Sequence, residues 1–465
     1  MMALSDTDLT AALAAVDDGL ETSLTRLKDL LRIPSISTDP ANKADCAKAA
    51  DWLVHELTEL GFDASARPTP GHPMVVAHDQ SANGPHVLFY GHYDVQPVDP
   101  LNLWHSDPFE AEIKTGPDGE KIIVARGASD DKGQLLTFIE ACRALKAANG
   151  TLPAKVTILL EGEEESGSTN LAPFLESAKD ELKADIALVC DTDMYDERTP
   201  GITTMLRGLV GEEIEITCAN RDLHSGMYGN AARNPLQVLS EIVASLRNAD
   251  GSVAVEGFYD DVEELPEEVA EMWRGLDFDG AAYLGEAGLK IPAGEQGRSV
   301  MEQITSRPTC EINGMIGGYT GEGFKTVIPA KAKAKISFRL VSNQDPAKIR
   351  AAFRAHVRAR VPKDCSVTFH EHGGSPAITV PVDGPFLAAA RTALSNEWGR
   401  ETILTGSGGS IPVVGEFKHR LGMDTLLIGF ALPTDNIHSP NEKYNLTSYH
   451  KGIRSWVRVL AGFGG

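Results

Sequence analysis

The sequence predicts an α/β fold, a mixed and mostly parallel sheet sandwiched by helices, with a ferredoxin-like α+β domain inserted into it. Three observations predict it. Between about residues 50 and 200, short β-branched runs alternate with helical stretches such as Gln134 to Ala148, as a parallel sheet with crossover helices requires. After Leu206-Arg207-Gly208 the texture changes: Glu213 to Thr217 alternates polar and apolar, and a helical stretch runs from about Pro235 to Leu246. Lys333 to Leu340 alternates again, and a helix over Pro346 to Arg360 precedes Val367-Thr368-Phe369, the order of a small ferredoxin-like unit. Beyond Pro381 the first texture returns, with Thr425 to Phe430 as a buried strand and a closing helix from about Ser448. The expected boundaries are 1–209 and 379–465 for the interrupted larger domain and 210–378 for the insertion. The acidic stretch from Asp250 to about Gly297 reads as an irregular excursion inside it.

Ahead of the sheet, Leu9, Leu13, Val16, Leu20, Leu24, Leu27 and Leu31 recur at steps of three and four, the stripe of a docking helix that ends before Pro34. The chain has 465 residues and a net charge of −23, which argues against a phosphate-backbone footprint, so nucleic acid is excluded as a partner. Its six cysteines stand singly, without CxxC or a disulfide framework, and read as reduced, buried thiols. No apolar run of about 18 residues or more could span a bilayer, and the amino terminus lacks a signal-peptide pattern. A cytoplasmic protein with no membrane partner is expected.

Chemistry-bearing residues gather where the apolar runs end. Val87 to Tyr90 leads into Gly91-His92-Tyr93-Asp94, Val156 to Leu160 into Glu161-Gly162-Glu163-Glu164-Glu165, and Ile186 to Val189 into Cys190-Asp191. In an open α/β sheet such groups converge, and bare carboxylates brought together resist ionisation unless a cation sits among them. A metal centre answers this, although each cluster alone also reads as a surface pair, a helix cap or a solvated acidic loop. Asp130, in Arg126 to Gly133, offers two oxygens that could bridge two cations, while Asp94 is placed to orient His92. Adjacent glutamates at 164 and 165 point different ways, so one can bind metal while the next faces an acidified water. Asp191 and His438 would complete ligation. The glycine-rich Gly406 to Ser410 lacks the ending of a phosphate loop, and Ser225 has no nucleophile elbow around it.

GHYDVQP, RGASDDKGQ, EGEEESGS, CDTDMY, RDLHSGMYG, KTVIP, SFRLV, GGSIP and HSPNEKYN occur together and in this order. In them the chain resembles, over nearly its whole length, the di-zinc metallopeptidase family of carnosinase, cytosolic non-specific dipeptidase, aminoacylase, glutamate carboxypeptidase and succinyl-diaminopimelate desuccinylase, on its dipeptidase side. The resemblance implies a catalytic domain with an inserted lid and dimerisation domain, two Zn2+ per subunit with Mn2+ or Co2+ possible, and a homodimer. It implies metal ligation by His92, Asp130, Glu165, Asp191 and His438, with Asp130 bridging both ions, and a cis Asp130–Asp131 peptide bond. Glu164 would be the general base and acid, Asp94 the carboxylate behind His92, and His224 the oxyanion donor in the partner's site. Arg339, Thr326, Ser410 and Glu442 would contact substrate. Asp193 and Glu163 are acids that many relatives lack, and Gly406 stands near a position where relatives carry arginine. The implied activity is hydrolysis of dipeptides; deacylation of N-acetyl or N-succinyl amino acids is the alternative.

Overall fold

The leucine stripe becomes a helix over Asp6–Leu31, started by the Ser5 hydroxyl, which accepts the Asp8 amide at 3.2 Å. Leu13, Val16, Leu24, Leu27 and Leu31 are buried along its inner face. The computed structural model describes residues 5–116, 119–409 and 411–464. The chain divides into two units, 1–204 with 380–405 and 413–465, and 205–379 with 406–412. The sequence boundaries placed 406–412 in the returning larger domain. It groups instead with the second unit, where Arg207 holds the carbonyls of Gly408 and Gly409, each at 3.1 Å.

In the first unit the sheet runs in the order Asp63–Arg67, Met74–Asp79, Lys155–Glu161, His86–His92, Ile186–Val189, Thr425–Leu427, Gly201–Leu206. Four of these, Lys155–Glu161, His86–His92, Ile186–Val189 and Thr425–Leu427, pair in parallel and so end at the same edge. Their apolar runs are buried throughout, as expected of strands covered on both faces. Helices Asp6–Leu31, Lys132–Asn149, Pro385–Trp398 and Leu446–Phe463 pack against one another. Phe89 of the central strand stacks on Phe138 at 3.9 Å, with Trp456 set edge-on to both. The result is a mixed sheet flanked by helices.

The second unit carries a four-stranded antiparallel sheet in the order Thr309–Gly317, Lys331–Leu340, Gly208–Thr217, Ser366–Ser375. Helices Pro235–Ala244 and Pro346–Arg358 pack on it, burying Val210, Ile214, Leu239, Ile242, Phe338 and Phe353. The chain order, strand, helix, two strands, helix, strand, is that of a ferredoxin-like unit. The excursion is not irregular throughout, because Glu267–Arg274 and Gly280–Glu286 are short helices within it. Not all six cysteines are free either. Register sets Thr217 opposite Ser366, so Cys218 and Cys365 fall side by side, 4.4 Å apart at Cα, and form a disulfide. Among the described residues no helix is long and apolar enough to cross a membrane.

Candidate metal centre

The common edge of the parallel strands delivers the donors. His92 closes its strand, Asp191 follows Val189 by two residues, and Glu165 lies in the 3-10 turn Glu164–Ser166 beyond Glu161. Asp130 arrives on the loop before helix Lys132–Asn149, and the Asp130–Asp131 bond is cis. Neither acid caps that helix: its N-cap, Asp131, makes no side-chain cap bond, and the Lys132 ammonium is spent on the carbonyls of Leu30 and Ile33.

Two groups of donors form, His92 with Asp130 and Asp191, and Asp130 with Glu165 and His438, the donor atoms of each group within 4.8 Å of one another. Asp130 belongs to both. Its Oδ1 lies 3.0 Å from His92 Nε2 and its Oδ2 3.0 Å from His438 Nε2, so one carboxylate faces two sites with one oxygen each. His92 Nε2 is 4.0 Å from Asp191 Oδ2, and His438 Nε2 is 3.2 Å from Glu165 Oε2. Asp94, fully buried, lies behind this cage. His92 Nδ1 is 3.1 Å from the Asp94 carbonyl and 3.4 Å from its carboxylate, which leaves Nε2 facing Asp130 and Asp191. The same carboxylate accepts the amides of Glu164 and Glu165 at 3.2 and 3.0 Å, fixing the turn that carries both glutamates.

Electrostatics show what the cage wants. Burial raises the Asp191 carboxyl well above the usual range, and the charges of Asp130, Glu164 and Glu165 raise it further. Hydrogen bonds to Asp130 and Glu165 push the His438 imidazole up to about 10. Burial opposes charge on His92, yet its bonds to Asp130 and Asp94 still raise it. Surplus negative charge holds protons where a cation would displace them, and imidazole with carboxylate is a donor set suited to zinc and other divalent ions. The residues therefore fit the metal pair. Glu164 is raised by burial, opposed by the His92 charge and raised further by the Glu165, Asp130 and Asp94 charges.

Neither Asp193 nor Glu163 joins a ligand group. Glu163 instead accepts the His72 amide and the Asn170 side chain at 3.1 and 2.7 Å. Gln96, missed by the sequence reading although it lies in GHYDVQP, donates to Glu165 at 2.6 Å. In the second unit, His224 and Thr326 come together on the short ribbon where His224 pairs with Val327, both exposed. Ser410 lies outside the described residues. The expected substrate contact at Glu442 is corrected: its side chain is fully buried and its carboxylate is filled by four donors from Arg126 to Asp130, so it presents nothing to a substrate.

Arg207 was also missed. Along the open face of the second sheet, Lys331, Lys333 and Lys335 pair with Glu215 and Glu213 across the strand. Opposite Arg339 stands Leu209 instead, and Arg207 lies diagonally beside it. Among the described residues no carboxylate pairs with either arginine. Burial and then the Arg339 charge bring the Arg207 guanidinium down to about 10.

A carboxylate shared by two histidine- and carboxylate-lined donor groups, at the parallel strand ends of an α/β sheet, has the form of a metal-dependent hydrolase centre. Cys-Gly metallodipeptidase dug1 of Schizosaccharomyces pombe is 30% identical over 96% of this chain and 97% of its own length. Human Beta-Ala-His dipeptidase is also 30% identical, over 92% of this chain and 83% of its own. The M20 family metallo-carboxypeptidase Sso-CP2 of Sulfolobus solfataricus superposes with a TM-score of 0.81 at 33% identity, over 95% of this chain and 99% of that one. The family model for peptidase family M20/M25/M40 matches residues 88–462, and the chain belongs to that family. It is a metal-dependent peptidase.

Proposed function

We propose that the chain is a zinc-dependent dipeptidase working as a homodimer, with Glu164 as base and acid. The observation that carries this reading is the Asp130 carboxylate facing His92 with one oxygen and His438 with the other. His92, Asp130 and Asp191 would hold one ion, and Asp130, Glu165 and His438 the second. When bound, such ions supply Lewis acidity and an acidified water. Glu164, whose carboxyl is raised by burial, would take a proton from the attacking water as the water oxygen bonds to the carbonyl carbon, and would return it to the departing nitrogen as the C–N bond breaks. Arg339, joined by Arg207, suits a substrate's terminal carboxylate, since neither guanidinium has an acid of its own. Thr326 and, by resemblance, Ser410 would add substrate contacts, and His224 would serve the partner's site. A dipeptide substrate is favoured by the relatives' names, Cys-Gly and Beta-Ala-His dipeptidases.

Glu164→Gln should keep full metal content and lose turnover of dipeptides such as Cys-Gly by about 10³-fold or more. Assays of wild type and variant beside N-acetyl and N-succinyl amino acids check it. Near-normal turnover in the variant refutes the role of Glu164, and a preference for acyl substrates in the wild type refutes the dipeptidase. A cytoplasmic location is supported by Cys46, Cys142, Cys190 and Cys310, which stay free and buried, while the Cys218–Cys365 pair weighs against it. Thiol titration of protein denatured straight from its cells decides. All six thiols titrating keeps the cytoplasmic reading, and only four ends it.

A further inference from the structure

The two donors of the Asp130, Glu165 and His438 group that come from opposite ends of the chain, Asp130 and His438, have no common element to fix their separation. His92 is wholly buried on a central strand, so the sheet places it. His438 is different: its side chain is 55% exposed and it sits in a loop, so packing does not place it. Its backbone must. That backbone is unusual, with Asn436, His438 and Asn441 all left-handed at φ of 58°, 61° and 63°. Asparagine tolerates this conformation. Histidine adopts it at a cost, and it persists only where the surroundings determine it.

Asn441 is tied by its side chain to the His105 amide and the Leu103 carbonyl at 2.8 and 2.9 Å, and a buried carboxylate stands at each end of the loop. Glu442 Oε2 accepts Arg126 Nη1 at 2.8 Å and the Gly127 amide at 3.0 Å. Its Oε1 accepts the amides of Ser129 and Asp130 at 2.9 and 3.0 Å. At the other end, Asp435 Oδ2 accepts the Ser129 hydroxyl at 2.8 Å and the Leu432 amide at 2.9 Å, while its Oδ1 takes the Lys443 ammonium at 2.6 Å. Both Asp435 and Glu442 are fully buried, and the Lys443 amide closes the loop onto the Asp435 carbonyl. Every tie of the two carboxylates except those to Leu432 and Lys443 ends on residues 126–130, the segment that presents Asp130.

We propose that Asp435 and Glu442 form a positioning clamp that holds the His438 loop in register with the Asp130 loop, and thereby sets the second metal site more than the first. Neither residue touches metal or substrate; both act through the spacing of two ligands. The inference rests on the metal-pair reading above. It predicts an asymmetry that a general structural role does not: loosening the clamp should weaken the ion shared by Glu165 and His438, while His92 and Asp191 keep the other.

Calorimetric titration of metal-stripped protein with Zn2+, against a competing chelator, tests it in Glu442→Gln and in Ser129→Ala. The glutamine keeps the volume but turns an amide donor toward backbone donors; the alanine removes only the hydroxyl that Asp435 accepts. In wild type two ions bind. In Glu442→Gln one of them should weaken by about 10–100-fold, the other by less than about threefold, and in Ser129→Ala the same ion should weaken to a smaller extent while the other again changes by less than about threefold. Two ions bound with wild-type affinity by both variants, or both ions weakened alike, overturns the clamp. Should Glu442→Gln not fold, Ser129→Ala decides by the same criterion. A wild-type chain that binds fewer than two ions overturns the metal-pair reading itself, and the clamp falls with it.

Discussion

Single side chains here work through oxygens that serve more than one partner. Asp130 divides its two oxygens between two histidines, and Asp94 stands behind one of them while accepting the amides of Glu164 and Glu165. The same economy is seen away from the site in Asp79, whose Oδ2 takes the Lys146 ammonium at 2.6 Å and whose Oδ1 accepts the Ser81 amide at 3.0 Å. Burial alone raises the Asp79 carboxyl, but these bonds outweigh it and hold it below the ordinary range. A carboxylate with a lowered folded pKa stabilises the fold where it is ionised. Its contribution is complete above the unfolded value of about 3.9 and is lost as pH falls through the lowered one. Asp79→Asn should therefore cost about 1–3 kcal/mol at pH 7, with the gap to wild type narrowing near pH 3. Urea titrations at both pH values check this. An equal gap at the two would mean that the ion pair contributes nothing.

At the scale of elements, what could be read from the sequence is what short-range pattern encodes. The first helix was legible because its leucine stripe repeats over seven turns and is bounded by Ser5 and Pro34. The five residues of the two donor groups were legible because each follows an apolar run or lies in a long motif, and strand direction then carries His92 and Asp191 to one edge without further information. Glu442 was misread for the opposite reason. Its motif declares a carboxylate beside His438, but which way that carboxylate turns depends on donors 312 to 316 residues earlier in the chain. Cys218 and Cys365 are likewise joined across 147 residues by strand register, which no spacing rule within the sequence reveals. The helices Glu267–Arg274 and Gly280–Glu286 escaped because eight and seven residues span two turns, too few for periodicity to stand out in an acidic stretch.

At the scale of the whole molecule, the two edges of the second unit's sheet differ in what they offer a second copy of the chain. The edge strand Ser366–Ser375 runs through His370-Glu371-His372-Gly373-Gly374 and breaks register between Glu371 and Gly374, the polar and bulged form that discourages pairing. The opposite edge, Thr309–Gly317, also shifts register, between Ile312 and Gly314, but exposes Ile312, Met315 and Ile316, the last at 64%. Tyr319 and Phe324 follow within eight residues, the phenylalanine 91% exposed. An apolar edge of this length is what a second copy of the chain would cover, giving the homodimer that His224 needs if it acts in the partner's site. Each copy brings a charge of −23, so association should tighten as salt screens the repulsion, the reverse of an interface held by opposite charges. Met315→Lys with Ile316→Lys should leave a monomer by sedimentation velocity, with its metal content intact and its dipeptidase activity lost. Mixing His224→Ala subunits with His92→Ala subunits, each inactive alone, should restore activity, because the mixed dimer pairs an intact metal site with an intact partner histidine. A wild-type chain that sediments as a fully active monomer, or mixtures that stay inactive after subunit exchange, would remove the shared site.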